Sequence, residues 1–400
     1  MVQFRTPTLW LLLLIVTFTA AWYSAAHPMD FRVYHFGARG VFDGSRPVYG
    51  ASSGLGWPMH YRYPPISLLL FAPFAALSLG VGAAVWTGFK VILLAAVMRM
   101  VWPRLPRPSS GSAVWLIPVL LAGPFVIQEL KYGNAQLFVF LTTLVGLLGS
   151  RKSSVGAGAA LGFGIAVKVW PLFFLPFLAV RRDGKTIAWT LLFATLLTLL
   201  PSFYFGLGRN VELLGQWASQ EFATQAGEEE IWFPSQSLRG VMMRYLTLVD
   251  YSKVPDGNYR QIQVATMNPA TVRAAWAVAA GIIYSAFLLL AYSRFRTDGR
   301  LEIGLGFALL ALLEPFTQKY ALVVLLWPAL LAGRSQAGTP SRYLVYASIV
   351  LALIQPLIPG SDRQRLMQVL GFDFAVTALL AVALIVTTYS SSRSILLNLE

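Results

Sequence analysis

The apolar positions of this chain come in long runs rather than at the spacing of an amphipathic helix or strand. Runs fall at roughly 8–26, 82–102, 113–127, 136–150, 154–167, 170–180, 186–206, 271–293, 301–316, 320–333, 343–358 and 374–390. A helix needs about 20 apolar residues to cross a hydrocarbon layer of about 30 Å, so the longer runs predict membrane spans. Those at 113–127, 154–167 and 170–180 barely reach across. Short, proline-interrupted spans leave loose backbone ends, which are tolerated around a cavity. The pattern predicts an all-α polytopic membrane protein of about 12 transmembrane helices, one domain over residues 1–400.

Charge orients the runs. Alternating their direction from a cytoplasmic N-terminus places Arg99, Arg104 and Arg107 inside, followed by Arg151 and Lys152, and then Arg181, Arg182 and Lys185. Arg294, Arg296 and Arg300, Arg334 and Arg342, and finally Arg393 also fall inside. Every short inner connection is then basic, as the positive-inside rule requires. Two long segments, 27–80 and 208–272, become extracytoplasmic loops. Residues 65–79 are apolar but short and broken by Pro73. Counting them as a span would put Arg99, Arg104 and Arg107 outside, so they read as a helix begun at Pro64-Pro65 that dips into the outer leaflet. Residues 1–26 also fit a signal peptide with Arg5 as its basic region, but the long apolar stretch and Pro28 favour a retained first span.

Composition narrows the chemistry. Of 400 residues, 56% are hydrophobic and 12% charged, against about 25% charged in soluble domains. The absence of cysteine excludes disulfides, thiolate metal sites and cysteine nucleophiles. Three histidines without a ligand-spaced acidic cluster predict no protein-built metal site, and no cofactor is expected. The net charge of +14 is dispersed in small groups between apolar runs. It suits a lipid bilayer and anionic headgroups rather than nucleic acid. Of 17 acidic residues this topology puts 13 outside, all but Asp183, Asp298, Glu302 and Glu400, so function is expected on the outer face.

Asp30, in His27-Pro28-Met29-Asp30-Phe31-Arg32-Val33-Tyr34, follows the first run at the membrane–water boundary. It is placed to act as a base on an amphiphilic substrate; it would equally cap a loop helix or pair with Arg32 or Arg39. Asp43 in Phe42-Asp43-Gly44-Ser45 reads as a turn residue. Lys168, in Ala166-Val167-Lys168-Val169-Trp170-Pro171, lies between two apolar half-helices, where an ionisable group marks function or snorkels to the interface. A helix begun at Pro171 would point its free N–H groups outward, like the ammonium, toward a phosphate. Asn134 in Gly133-Asn134-Ala135-Gln136 is a candidate N-cap for another outward N-terminus. Ser235-Gln236-Ser237-Leu238-Arg239 starts a third, with Arg239 and Arg244 on it. Glu314-Pro315-Phe316-Thr317-Gln318-Lys319-Tyr320 sets an acid, an amide and a lysine at an outer turn, unless Glu314 and Lys319 satisfy each other. Lys90 is the main deeply placed charge. Gly156, Gly158, Gly162 and Gly164 give one helix a small face for close packing.

Taken in order, these segments, together with Gly44, Pro47-Val48-Tyr49, Tyr63-Pro64-Pro65, Pro73 and Pro176, resemble the GT-C class of membrane glycosyltransferases. In particular the chain resembles glycosyltransferase family 87 (the DUF2029 type), whose mycobacterial members transfer mannose from polyprenyl phosphate. The resemblance reaches to about residue 335. It implies a GT-C-like bundle in the cell membrane with both termini cytoplasmic and an extracytoplasmic active site. Asp30 matches the first-loop aspartate taken as the catalytic base. Lys168, Arg239 and Lys319 are then expected at the donor phosphate, and Tyr34, Tyr63, Asn134, Gln136, Gln236 and Glu314 at the substrates. The implied partners are a polyprenyl-phosphate sugar donor and a glycan or glycolipid acceptor, reacting by inverting displacement. One stretch departs from the family, which tends to have Ser-Pro followed by Trp and His. Here Lys319 and Tyr320 stand in place of imidazole, leaving sugar and acceptor open. A secondary transporter or a flippase of lipid-linked sugars is the alternative, although no internal repeat is visible.

Overall fold

The computed structural model describes residues 7–44, 47–50, 59–105, 116–150, 152–225, 231–253, 259–294, 299–334 and 339–397. Arg5, Ser45, Arg107, Arg151, Arg296, Asp298 and Glu400, used above, lie outside the described residues. The described residues are helical or loop, with no strand among them.

The first helices are α1 (Pro7–Ala26), α2 (Met29–Phe42), α3 (Ile66–Ala75), α4 (Leu79–Val101), α5 (Leu116–Tyr132), α6 (Gln136–Gly149) and α7 (Ser154–Val167). After a 3-10 turn at Trp170–Phe174 come α8 (Leu175–Val180), α9 (Gly184–Leu199), α10 (Ser202–Phe205), α11 (Leu207–Gln225) and α12 (Leu238–Leu246). The rest are α13 (Pro269–Ser293), α14 (Arg300–Leu313), α15 (Leu326–Arg334), α16 (Thr339–Leu357), α17 (Ser361–Leu370) and α18 (Phe372–Leu397).

Among the described residues, three helical stretches are long and apolar enough to cross a membrane: Leu79–Arg104, Gly184–Phe205 and Pro269–Ser293. A fourth is α17 with α18, if that pair, bent by 47°, counts as one span. The described residues are therefore helix and loop with three or four candidate membrane spans, and several apolar runs fold as helices of only 10–17 residues. Proline supplies part of the reason. Without an N–H and with φ fixed, Pro171 and Pro176 split the run at 170–180 into a 3-10 turn and a six-residue helix.

Several helices have no counterpart among the runs, α2, α11, α12 and α17 among them. Pro28 separates α1 from α2, and α2 buries Phe31, Val33, Tyr34, His35, Gly37 and Ala38, a helical rather than continuous apolar pattern. Its glycine has a packing reason: a Cβ on Gly37 would come within 2.5 Å of the Tyr61 ring. Asp43 and Gly44 close the helix, the latter at φ 68°.

The chain divides into two compact units. The first comprises residues 1–103, 127–169 and 188–221. Here α1 packs on α4, α2 and α3 pack on each other and on α4, and α6 packs on α4 and α7. The glycine face of α7 is used as expected: Cβ atoms on Gly158 and Gly162 would lie 2.8 Å from the backbone nitrogens of Thr190 and Ala194. Only glycine admits α9 that closely. The second unit comprises residues 104–126, 170–187 and 222–400. Its α14 is buried from Glu302 to Leu313 and packs on α13, α15 and α18. Glu302 is not free there; Arg294 Nε donates to it at 2.7 Å.

Candidate active site

Asp30 is the second residue of α2, in the first long loop, where a carboxylate is stabilised by the N-terminal end of the helix dipole. It is half-buried. Burial pushes its carboxyl up from the ordinary 3.8 to about 6, opposed by a hydrogen bond from Asn134 and then by the Lys168 ammonium. At pH 7 the group is therefore ionised, yet basic enough to take a proton.

Asn134 is oriented by its neighbours. Its Oδ1 accepts from the Tyr63 hydroxyl at 3.0 Å and from the Gln136 N–H at 3.0 Å. With the carbonyl end occupied by two donors, the amide end must face the other way, and Nδ2 donates to Asp30 Oδ2 at 2.7 Å. Tyr63 is itself held: Tyr34 donates to its hydroxyl at 3.0 Å, and Tyr49 donates to its carbonyl at 2.7 Å. The predicted cap is thus present one residue early, since Ala135 occupies the N-cap position of α6 while the Asn134 side chain serves Gln136.

The turn beneath Asn134 requires glycine. Gly133 has φ 68°, and a Cβ there would press on the Phe31 Cβ at 3.1 Å. Trp86 Nε1 donates to the Gly133 carbonyl at 2.9 Å. Lys90 Nζ donates to both oxygens of Glu129, at 3.0 and 2.9 Å, and to the Asn134 carbonyl at 2.7 Å. Glu129 Oε1 in turn accepts from the Leu137 N–H at 3.1 Å. Both charged side chains are fully buried. In the sequence Lys90 stands out alone; the signal for its partner is an acid, Glu129, just beyond the end of another apolar run.

Lys168 caps the C-terminus of α7 in extended backbone (φ −153°, ψ 121°). Its Nζ donates to Gln136 Oε1 at 2.7 Å and lies 5.4 Å from the centroid of the Tyr63 ring. Asp30, Tyr34, Tyr63, Asn134, Gln136 and Lys168 therefore form one cluster within the first unit, drawn from α2, the loop before α3, the start of α6 and the end of α7. A base and a cation in one hydrogen-bonded cluster suit proton removal beside a developing negative charge. Tyr34, Tyr63, Asn134 and Gln136 are buried, and the bonds above make them supports for Asp30 and Lys168. The α-helix expected to begin at Pro171 starts instead as the 3-10 turn, and α8 follows from Leu175.

Gln236, Arg239, Glu314 and Lys319 belong to the second unit. A helix, α12, starts within Ser235–Arg239 as the sequence predicts, and Ser237 is its cap, accepting from the Gly240 N–H at 3.1 Å. Its hydroxyl donates to the Pro315 carbonyl at 3.1 Å, and the Gln236 N–H donates to the Thr317 carbonyl at 2.7 Å. The start of α12 and the Glu314–Tyr320 turn are thereby stitched together. Arg239 lies over the Trp276 ring at 5.4 Å, and Lys319 donates to Gln355 Oε1 at 2.6 Å. Arg244, expected to lend charge to an anion, is fully buried and donates to the carbonyls of Val369 at 3.0 Å and Ser235 at 2.8 Å. Its guanidinium is spent on holding α12 to the end of α17. Among the described residues no three His, Cys, Asp or Glu side chains gather as a metal site.

Residues 61–315 match the sequence model of glycosyltransferase family 87. The match contains Tyr63, Asn134, Gln136, Lys168, Gln236, Arg239 and Glu314, while Asp30, Tyr34 and Lys319 lie beyond its ends. A polyprenol-phosphate-mannose-dependent alpha-(1-2)-phosphatidylinositol mannoside mannosyltransferase of Mycobacterium tuberculosis (strain ATCC 25618 / H37Rv) is 32% identical over 212 aligned positions, covering 48% of this chain and 49% of the relative. A protein of the same name from Mycolicibacterium smegmatis (strain ATCC 700084 / mc(2)155) is 29% identical over 179 positions, covering 40% of each chain. The chain thus spans about half or less of the length of these curated relatives. No solved structure matches it.

Proposed function

Since the chain belongs to glycosyltransferase family 87, we propose that it is a membrane hexosyltransferase carrying mannose from a polyprenyl-phosphate donor to a glycolipid or glycan acceptor. The observation that carries this reading is the pairing of Asp30, held by Asn134 at 2.7 Å, with the Lys168 ammonium in the same cluster. The relatives named for phosphatidylinositol mannosides make that acceptor class the first to try.

In the proposed reaction an acceptor hydroxyl attacks the anomeric carbon as Asp30 takes its proton. The bond from that carbon to the phosphate oxygen breaks, and the lipid phosphate leaves with the electron pair. A single displacement inverts the anomeric centre. General-base catalysis by Asp30 is worth about 10²–10⁴-fold. Lys168 stabilises the charge that builds on the leaving oxygen. Tyr34, Tyr63, Asn134 and Gln136 hold these two groups and border the substrates. Arg239 and Lys319 are proposed as further donor-phosphate ligands, and Gln236 and Glu314 as substrate contacts. The reading includes a one-domain GT-C-like bundle of about twelve spans in the cell membrane. Its termini are cytoplasmic, and its loops 27–80 and 208–272 are extracytoplasmic.

The test is transfer by purified protein in lipid nanodiscs, supplied with polyprenyl-phosphate mannose and a phosphatidylinositol mannoside and read by mass spectrometry. Asp30→Ala is expected to abolish product while donor binding persists; unchanged transfer removes the base assignment. A product formed only from another lipid-linked hexose would replace mannose. Transbilayer movement of the donor with no new glycan would favour a flippase.

A further inference from the structure

We infer that the buried Lys90–Glu129 pair is a positioning device that holds the Gly133–Asn134 turn, and through the Asn134 amide fixes the direction of Asp30. The inference rests on the reading of Asp30 as the base.

Stability does not explain the pair. Taking two charges out of water costs several kcal/mol per ion, and an apolar pair of similar volume often serves a fold as well or better. Apolar side chains could still fill the space these two side chains occupy. They could not supply what these two groups give to the backbone. Each ammonium hydrogen of Lys90 has an acceptor: two go to Glu129 and the third to the Asn134 carbonyl. Glu129 accepts the N–H of Leu137, one of the donors a helix start leaves without an intrahelical partner. The pair therefore grips the chain on both sides of Ala135. Trp86, one turn before Lys90 on α4, grips Gly133 in the same way.

What lies between those grips is the residue that touches Asp30. Asn134 reaches the carboxylate only while its backbone keeps the positive-φ turn at Gly133 and its Oδ1 keeps Tyr63 and Gln136. A rotation of this turn would swing the amide off Asp30 Oδ2. The site also sits well along α4: Lys90 lies eleven residues beyond Leu79, about 16 Å at 1.5 Å per residue. In surroundings this apolar, few water molecules are at hand to replace a lost contact. The groups that face Asp30 from the packed elements are Asn134, Lys168, Glu129, Lys90, Tyr63 and Tyr132. The paired Lys90 and Glu129 add no net charge to that set.

The test replaces the pair by apolar residues of similar size, Lys90→Met with Glu129→Leu, in the full chain in nanodiscs, with thermal melting to verify folding. One readout needs no substrate: the rate at which a hydrophobic carbodiimide modifies Asp30, followed by peptide mass spectrometry. Release of the carboxylate is expected to change that rate by about threefold or more, since one charge-assisted hydrogen bond is lost; an unchanged rate overturns the proposal. The second readout is turnover. Misplacing the base is expected to lower kcat on the order of 10- to 100-fold with little change in the donor KM. That loss should vanish in an Asn134→Ala background, where the clamp has nothing left to position. Equal losses in both backgrounds would mean a general structural effect and overturn the proposal. Should the pair variant fail to fold, Trp86→Phe, which removes the bond to the Gly133 carbonyl, is expected to shift the modification rate in the same direction; no shift counts against the clamp. If Asp30→Asn leaves transfer intact, the base assignment falls, while the carbodiimide comparison still decides the clamp.

Discussion

Lowering the pH from 7 to 5 should cut the second-order rate of transfer about tenfold. The perturbation acts on Asp30, whose carboxyl is pushed up to about 6, chiefly by burial. A base works only when deprotonated. With a pKa of about 6, roughly nine-tenths of Asp30 is ionised at pH 7 and roughly one-tenth at pH 5. An ordinary aspartate near 3.8 would lose less than about 10% of its ionised form over the same interval. The assay is the initial rate of mannosyl transfer at limiting donor, from pH 5 to 8, with a donor-binding control at each pH. Activity should rise with pH through about 6 and level off above 7. A flat profile between 5 and 8, with binding constant, would refute the assignment. The same shift has a consequence for stability. A folded-state carboxyl raised above its unfolded value binds protons more tightly when folded. Its contribution is favourable below the unfolded pKa and is lost as pH rises through about 6. Asp30→Asn should therefore raise the apparent melting temperature at pH 7 while lowering transfer. The ceiling is about 3 kcal/mol from 1.36 kcal/mol per unit, which partial exposure of Asp30 reduces to about 1–2 kcal/mol.

Other outcomes follow from the same cluster. Lys168→Met should reduce kcat/KM for the donor by about 10–100-fold, the worth of a charged hydrogen bond of about 1.5–3 kcal/mol. It should also move the pH inflection upward, because Lys168 lowers the Asp30 pKa; an unchanged kcat/KM would remove its phosphate role. Tyr63→Phe takes one donor from Asn134 Oδ1 and the acceptor from Tyr34. It should cost about 1–3 kcal/mol of stability with a fall in kcat, read by thermal melting and initial rates. Gly133→Ala meets both a positive φ and Phe31 at 3.1 Å, and should cost at least about 1–2 kcal/mol, measured as a lowered melting temperature together with slower transfer.

Much of this protein was written locally. Long apolar runs specify helices wherever they occur, because backbone groups in an apolar medium must bond within their own segment. The segment Ser235–Arg239 announced the start of α12, and the glycines of α7 announced a close neighbour, since short polar side chains before a helix and a missing Cβ each act within a few ångströms. Lys168 was legible as a charge between apolar half-helices, Asp30 as an acid at the membrane–water boundary and Asn134 as a cap, while Gln136 stood out only through the family resemblance. Their partnerships were not. Asn134 meets Asp30 across 104 positions, and Lys90 meets Glu129 across 39. Nothing in a local pattern records which of many polar groups will be neighbours once the helices pack. The amphipathic α2, half covered and half open, escaped a search for continuous apolar runs because its period is helical. Composition and order determined that the chain is helical, suited to a membrane, and equipped with an acid and cations. Tertiary packing alone decided that one amide, gripped from behind by a buried ion pair, holds the acid, because the direction of a hydrogen bond depends on where every neighbouring donor and acceptor comes to rest.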